Sequence, residues 1–251
     1  MIITDPWFYV IAVPVVLLTG ISKTGIPGLF GGMAVPLLSL VISPLQAAAV
    51  MLPILCFIDL FGLRALRGIY DRANLPIILT GLAIGVVIGT LIFGFVRQDV
   101  LRLGVGAIAI VFALNNLFGW AKKRPPTKSS WPRGVFWSSV SGLTSFLAHA
   151  GAAPIMAYLL PLRLEKRVYV GTTIWFFFAS NYAKIIPYAF LGQLDMTNVV
   201  TALVLLPLVP VGVKLGVLLQ GKLNEAVFYQ ISYWALLSIG VKLLYDGMTR
   251  L

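Results

Sequence analysis

Several kinds of residue are scarce in this 251-residue chain, and each scarcity removes a class of protein. The single cysteine, Cys56, rules out an intramolecular disulfide and a thiolate metal cluster, and reads as a small core residue. One histidine, His149, and scattered carboxylates offer no metal-ligand pair at useful spacing and no nucleophile beside a base, which argues against an intramembrane enzyme. Charged residues are only 11% of the chain, too few to clothe a soluble globule. No GxxxxGKS loop occurs, so nucleotide hydrolysis within the chain is not expected to supply energy, and neither a cofactor nor a metal is expected. Period-two alternation is missing, which excludes a membrane barrel. No charged leader with a cleavage site precedes the first apolar run, so the stretch from Trp7 is expected to be a retained helix.

What is there is apolar: 59% hydrophobic residues and a mean hydropathy of +0.97. The expected fold is an all-α polytopic membrane protein forming a single transport domain over residues 1–251. Apolar elements are expected near Trp7 to Ile21, Pro27 to Ile42, Leu45 to Leu63, Leu75 to Val96 and Val100 to Ala121. A second set follows near Gly134 to Ala148, Gly151 to Leu162, Val168 to Leu191, Val199 to Leu219 and Asn224 to Tyr245. The segment between them, KKRPPTKSSWPR at 122–133, reads as a solvated linker joining a first repeat, about 1–121, to a second, about 134–251.

The formal charge of +11 does not point to nucleic acid, because the basic residues sit in links between apolar runs. With the N-terminus outside, inward links carry Lys23, Arg64, Arg67, Arg72, the lysines and arginines of the linker, Arg163, Lys166, Arg167 and Lys222, against Arg97, Arg102 and Arg250 outside. This asymmetry places both termini outside the cytoplasm and the linker inside. Five elements per half then turn the second copy upside down relative to the first, an inverted repeat. Two sequence anchors support the repeat. GISKTGIPGLFGGMAVP from Gly20 has a counterpart, GLTSFLAHAGAAP, about 120 residues later. GVVIGTLIFGFV from Gly85 recurs in outline as GVKLGVLLQGKL from Gly212. The pairs Gly85 and Gly89, and Gly212 and Gly216, should each lie on one helix face and allow a neighbouring backbone to come close.

The first two elements of each half are about 15 residues long where roughly 20 cross the hydrocarbon core, so they either span or form re-entrant hairpins. Thr19 to Gly28 and Gly142 to Gly151 would be the hairpin tips. There a helix start, with Pro27 in its first turn and Thr24 or Gly25 as its cap, would offer free N–H groups and the positive dipole end to an anion. Substrate-binding candidates are Ser22, Lys23, Thr24, Gly25 and Gly28 in the first tip, and Thr144, Ser145, His149 and Gly151 in the second. Lys23 also fits a snorkelling interfacial lysine, and His149 a buried structural imidazole. Deeper in the apolar runs, Asp59, Asn181 and Lys184 are candidates for the pathway or for coupling. Asp59 and Asn181 occupy corresponding places, so both should face the centre. Asp59 would there pair with Lys184 or carry a coupling proton, the alternative being a solvated end-group near the inner mouth. Pro187 would break its helix.

The glycine-rich GIPGLFGGMAVPLLSL from Gly25, with PLQAAAVMLP from Pro44, and the later HAGAAPIMAYLLPLRLEKRVYVGTT from His149 resemble the TauE/SafE sulfite exporter family, with its four-toluene sulfonate uptake relatives. The resemblance covers essentially the whole sequence. The first copy departs from the pattern at Met51, Leu52 and Pro53, where the second has Gly171, Thr172 and Thr173. The resemblance implies transport of sulfite, sulfonates or related sulfur-containing anions across the inner membrane, generally outward. The expected partners are a small anionic substrate, the lipid bilayer and a proton or other coupling ion; a homodimer is allowed but not indicated. A small-anion channel is the alternative to a carrier, with an intramembrane enzyme or an assembly scaffold further behind.

Overall fold

Asp5 opens the first helix by accepting the Trp7 N–H at 2.9 Å, with Pro6 in the first turn where its missing N–H costs nothing. The computed structural model describes residues 2–30, 33–92, 98–118, 125–148, 150–190 and 195–249. In the first half, α1 is Pro6–Gly25, α2 Ala34–Leu38, α3 Pro44–Ala65, α4 Asn74–Leu91 and α5 Gln98–Leu117. In the second, α6 is Trp131–Ala148, α7 Ala152–Leu159 with a 3-10 turn at Leu160–Leu162, α8 Lys166–Phe190, α9 Met196–Leu205, α10 Leu208–Lys222 and α11 Glu225–Met248. No strand occurs among the described residues.

Four helices, α1, α3, α4 and α11, are long and apolar enough to cross a membrane, and α9 with α10 makes a fifth if that bent pair is one span. The chain is a multi-pass membrane protein. The 49° bend between α9 and α10 falls at Pro207, which lacks the N–H that would continue the ladder. The single element expected over Val199 to Leu219 is therefore two helices.

Other boundaries differ from the sequence expectation. At 20 residues α1 is long enough to span, and is not a short element. The five-residue α2 is much shorter than the helix expected from Pro27. Pro27 starts nothing, because Ile26 is extended and Gly28 takes φ +97°, so the chain turns there before Ala34. Pro187 lies within α8 without ending it. Helix α6 begins at Trp131, inside the expected linker. The rest of that linker over 125–130 is docked: Thr127 N–H donates to the Pro161 carbonyl at 2.9 Å, and the Ser129 hydroxyl to Asn74 Oδ1 at 2.9 Å. Lys122, Lys123, Arg124, Arg97, Arg250, Val96, Ala121 and Leu191 lie outside the described residues.

The main helix pairs are α1 with α10, α4 with α6, α3 with α8 and α5 with α11. This set reads the same when α1 and α6, α4 and α10, α3 and α8, and α5 and α11 trade places. Glycines set the closest of these approaches. A Cβ on Gly85 would lie 2.8 Å from the Leu143 nitrogen of α6, and one on Gly216 would lie 2.7 Å from the Ile21 carbonyl of α1. As expected, Gly85 and Gly89 share one face toward α6, and Gly212 and Gly216 one face toward α1.

Candidate functional site

The ends of α1 and α6 both carry polar side chains against the α3/α8 pair, and there the most deeply buried charged residues among the described ones, Asp59 and Lys184, come together. Lys23, in the last turn of α1, places Nζ 2.5 Å from Asp59 Oδ1 of α3. Asn181 of α8 donates from Nδ2 to the other carboxylate oxygen at 2.6 Å. Three residues on, Lys184 donates to Ser145 Oγ of α6 at 2.7 Å, and Ser145 Oγ lies 3.2 Å from Ser180 Oγ. Helical spacing explains the grouping, since Ser180, Asn181 and Lys184 fall within one turn of α8 and project to one side. Phe177, one turn earlier, sets its ring 5.3 Å from the Lys23 ammonium.

Asp59 is completely buried, Asn181 and Lys184 almost so, and the Lys23 side chain is 16% exposed. The solvated end-group reading of Asp59 and the snorkelling reading of Lys23 are thereby corrected. The expected partner is corrected too: Asp59 pairs with Lys23, and Lys184 with Ser145. Among the described residues no carboxylate lies within 4 Å of Lys184. In their ordinary charge states the two ammonium groups and one carboxylate leave the cluster one positive charge in excess. A buried cation without a counter-ion is strongly disfavoured, so Lys184 either gives up its proton to stay neutral or is met by an anion.

The first tip differs from the expected helix start. Ser22, Lys23, Thr24 and Gly25 lie in the closing turn of α1, at its carbonyl end, where a lysine complements the negative pole of the dipole. Ser22 is buried; its hydroxyl accepts from the Phe30 N–H at 3.1 Å and faces the Ile26 carbonyl at 3.3 Å. Thr24 Oγ1 sits 2.9 Å from the Gly20 carbonyl and 3.1 Å from that of Val213 on α10, tying the tip to the second half. Gly28 needs its positive φ, and a Cβ there would also meet Met156 Sδ of α7 at 2.6 Å. In the second tip Thr144 bonds back to the Val140 carbonyl at 2.7 Å, while Gly151 caps α7 and accepts from the Ser141 hydroxyl at 2.5 Å. The helix-start geometry is thus present in the second half, at α7. His149 lies outside the described residues.

The structure therefore brings together Lys23, Asp59, Asn181, Lys184 and Ser145 from the expected residues. Ser180 and Phe177 join them without having been expected. Ser180 was readable, standing four residues before Lys184 on the same helical face; Phe177 was one of many aromatics in its run. Among the described residues no group of three or more His, Cys, Asp or Glu could hold a metal.

A family model described as "Sulfite exporter TauE/SafE" matches residues 12–243. No curated protein and no solved structure matches the chain.

Proposed function

The chain belongs to the TauE/SafE sulfite exporter family, whose members are transporters and not enzymes, and from this we propose that it is a secondary carrier exporting small sulfur-containing oxyanions, such as sulfite or a small sulfonate, by alternating access. The observation that carries the proposal is the buried Lys184 amine, which lies beside the Lys23–Asp59 pair and has no carboxylate within 4 Å among the described residues. An oxyanion meeting Lys184 Nζ would neutralise it, and the Ser145 and Ser180 hydroxyls stand within reach to donate to the remaining oxygens. Asp59 serves as a resident anion for Lys23. Substrate drawing Lys23 away would leave Asp59 to Asn181, or to a coupling proton, so the two halves would exchange partners as the site fills.

Ser22, Thr24 and Thr144 shape the two tips through their backbone bonds, and Gly25, Gly28 and Gly151 let those tips approach their neighbours. His149 is the remaining candidate contact of the second tip. The exchangeable helix pairing supports two halves, residues 1–121 and 134–251, related as an inverted repeat that rocks about α3 and α8. In this reading both termini lie outside the cytoplasm of a cell with the protein in its inner membrane, and a homodimer is not required.

The test is purified protein in liposomes loaded with radiolabelled sulfite, with efflux followed by the label lost from the vesicles. Saturable efflux accelerated by external unlabelled sulfite supports a carrier. Non-saturating flux without counter-transport would indicate a channel, and no sulfite flux in an otherwise active preparation would remove the substrate assignment.

A further inference from the structure

Away from the central cluster, α3 and α10 flank an open groove of about 400 Å³ lined by Phe61, Arg64, Ala65, Val213, Lys214 and Leu218, among others. Its two cations are both exposed, and neither has a carboxylate within 4 Å among the described residues. The rest of the lining is apolar. Next to it, Val211, Leu215 and Leu218 leave about half of their surface uncovered on the outer face of α10, as a wall against lipid would.

Depth makes the lysine unusual. Helices α1 and α10 run in the same direction, since Gly20 meets Gly212 and Gly25 meets Gly216. Lys214 is therefore level with the inner part of α1, eight residues before α10 ends at Lys222, about 12 Å along the axis. A lysine at that distance from the helix end, on an apolar wall, either reaches toward the interface or draws an anion in to meet it. Arg64, in the last turn of α3, stands on the opposite bank and supplies a planar fork suited to phosphate oxygens.

We propose that this groove binds an anionic phospholipid of the surrounding bilayer, with its phosphate between Arg64 and Lys214 and an acyl chain along Phe61, Val217 and Leu218. A free oxyanion would have to shed water against those same apolar walls with nothing to cover them, whereas a lipid brings its own chain. The site is separate from the central cluster: the α3 side chains that line it are Phe61, Arg64 and Ala65, while Asp59 points into the bundle toward Asn181.

The experiment is native mass spectrometry of the full chain from micelles carrying equal phosphatidylglycerol and phosphatidylcholine. The wild type should retain phosphatidylglycerol selectively, and Arg64→Gln with Lys214→Gln should lower that retention about tenfold or more, as expected for losing two charges at an anionic headgroup. Arg64→Lys with Lys214→Arg should keep it. Melting in lipid-free detergent verifies that each variant is folded, and if the double variant is not, Lys214→Gln alone should show a smaller loss in the same direction. Equal retention by wild type and variant, equal retention of the two lipids, displacement by millimolar inorganic phosphate, or a dimer that the substitutions dissolve would each overturn the proposal, the last two in favour of a free anion or a second copy.

Discussion

Asn181 and Asp59, 122 residues apart, meet at 2.6 Å across the α3/α8 pair, so one bond joins the two halves at a completely buried carboxylate. The same carboxylate holds Lys23, which makes Asp59 the meeting point of α1, α3 and α8. Replacing Lys23 with methionine would leave a buried carboxylate with only an amide partner. The expected cost is about 3–5 kcal/mol, the range for stranding one member of a buried pair. Lys23→Met with Asp59→Asn should recover most of that stability by removing the second charge as well, while sulfite efflux stays lost. Thermal melting in detergent reads the first effect and liposome efflux the second. Full transport by a folded double variant would remove the pair from the mechanism.

Lys184→Met addresses binding with little risk to the fold. Ser145 and Ser180 lie 3.2 Å apart and can bond each other once the ammonium is gone, and methionine nearly matches the lysine stem in volume. Melting temperature should hold or rise, because a buried cation without a counter-ion has been removed. Efflux should fall by about a hundredfold, on the order of the roughly 3 kcal/mol that a charge-assisted hydrogen bond to the anion supplies. Transport at the wild-type rate would show that the surplus charge is not where the substrate sits.

How much of this was readable in the sequence can be judged at Asp59. Its place among apolar residues marked it, and so did its correspondence with Asn181; both face inward as expected, because ionisable groups at such depth seek each other. Its choice of Lys23 over Lys184 was not readable. Both lysines come within electrostatic reach of it, and which one closes to contact depends on how far α1 runs before it stops. That stop was misplaced. A Pro27 preceded by small polar residues fits a helix start, but the extended Ile26 and the positive φ of Gly28 make the segment a turn that follows a helix. Glycine spacing, by contrast, pointed correctly to a close neighbour at each pair without naming it; the neighbours are α6 at Gly85 and α1 at Gly216, where backbone approach leaves little room for any other residue.

Those contacts can be tested against an internal control. Gly216→Ala would press its Cβ toward Thr24 Oγ1 and the Ile21 carbonyl, whereas a Cβ on Gly221, further along α10, would meet nothing within 4 Å. The first substitution should cost about 1–3 kcal/mol through overpacking. The second should be neutral or stabilising by up to about 1 kcal/mol, because alanine is the better helix former. Comparing the two melting temperatures separates helix propensity from close approach. Equal behaviour would mean that α1 and α10 are not in contact at Gly216.

The proposed orientation has a measurement of its own. Arg64 and Arg67 lie at and just past the end of α3, and Arg163, Lys166 and Arg167 surround the start of α8; clusters of this kind are expected on the cytoplasmic side. In a Cys56→Ser background, a cysteine at Arg67 or at Thr249, both exposed, gives one reporter for each side. A membrane-impermeant maleimide added to intact cells should label Thr249→Cys at once and Arg67→Cys only after permeabilisation. The reverse pattern would turn the molecule over. The carbonyl end of α1 and Lys23 would then be nearer the outer face, and an exporter would have to load its substrate from the α7 side.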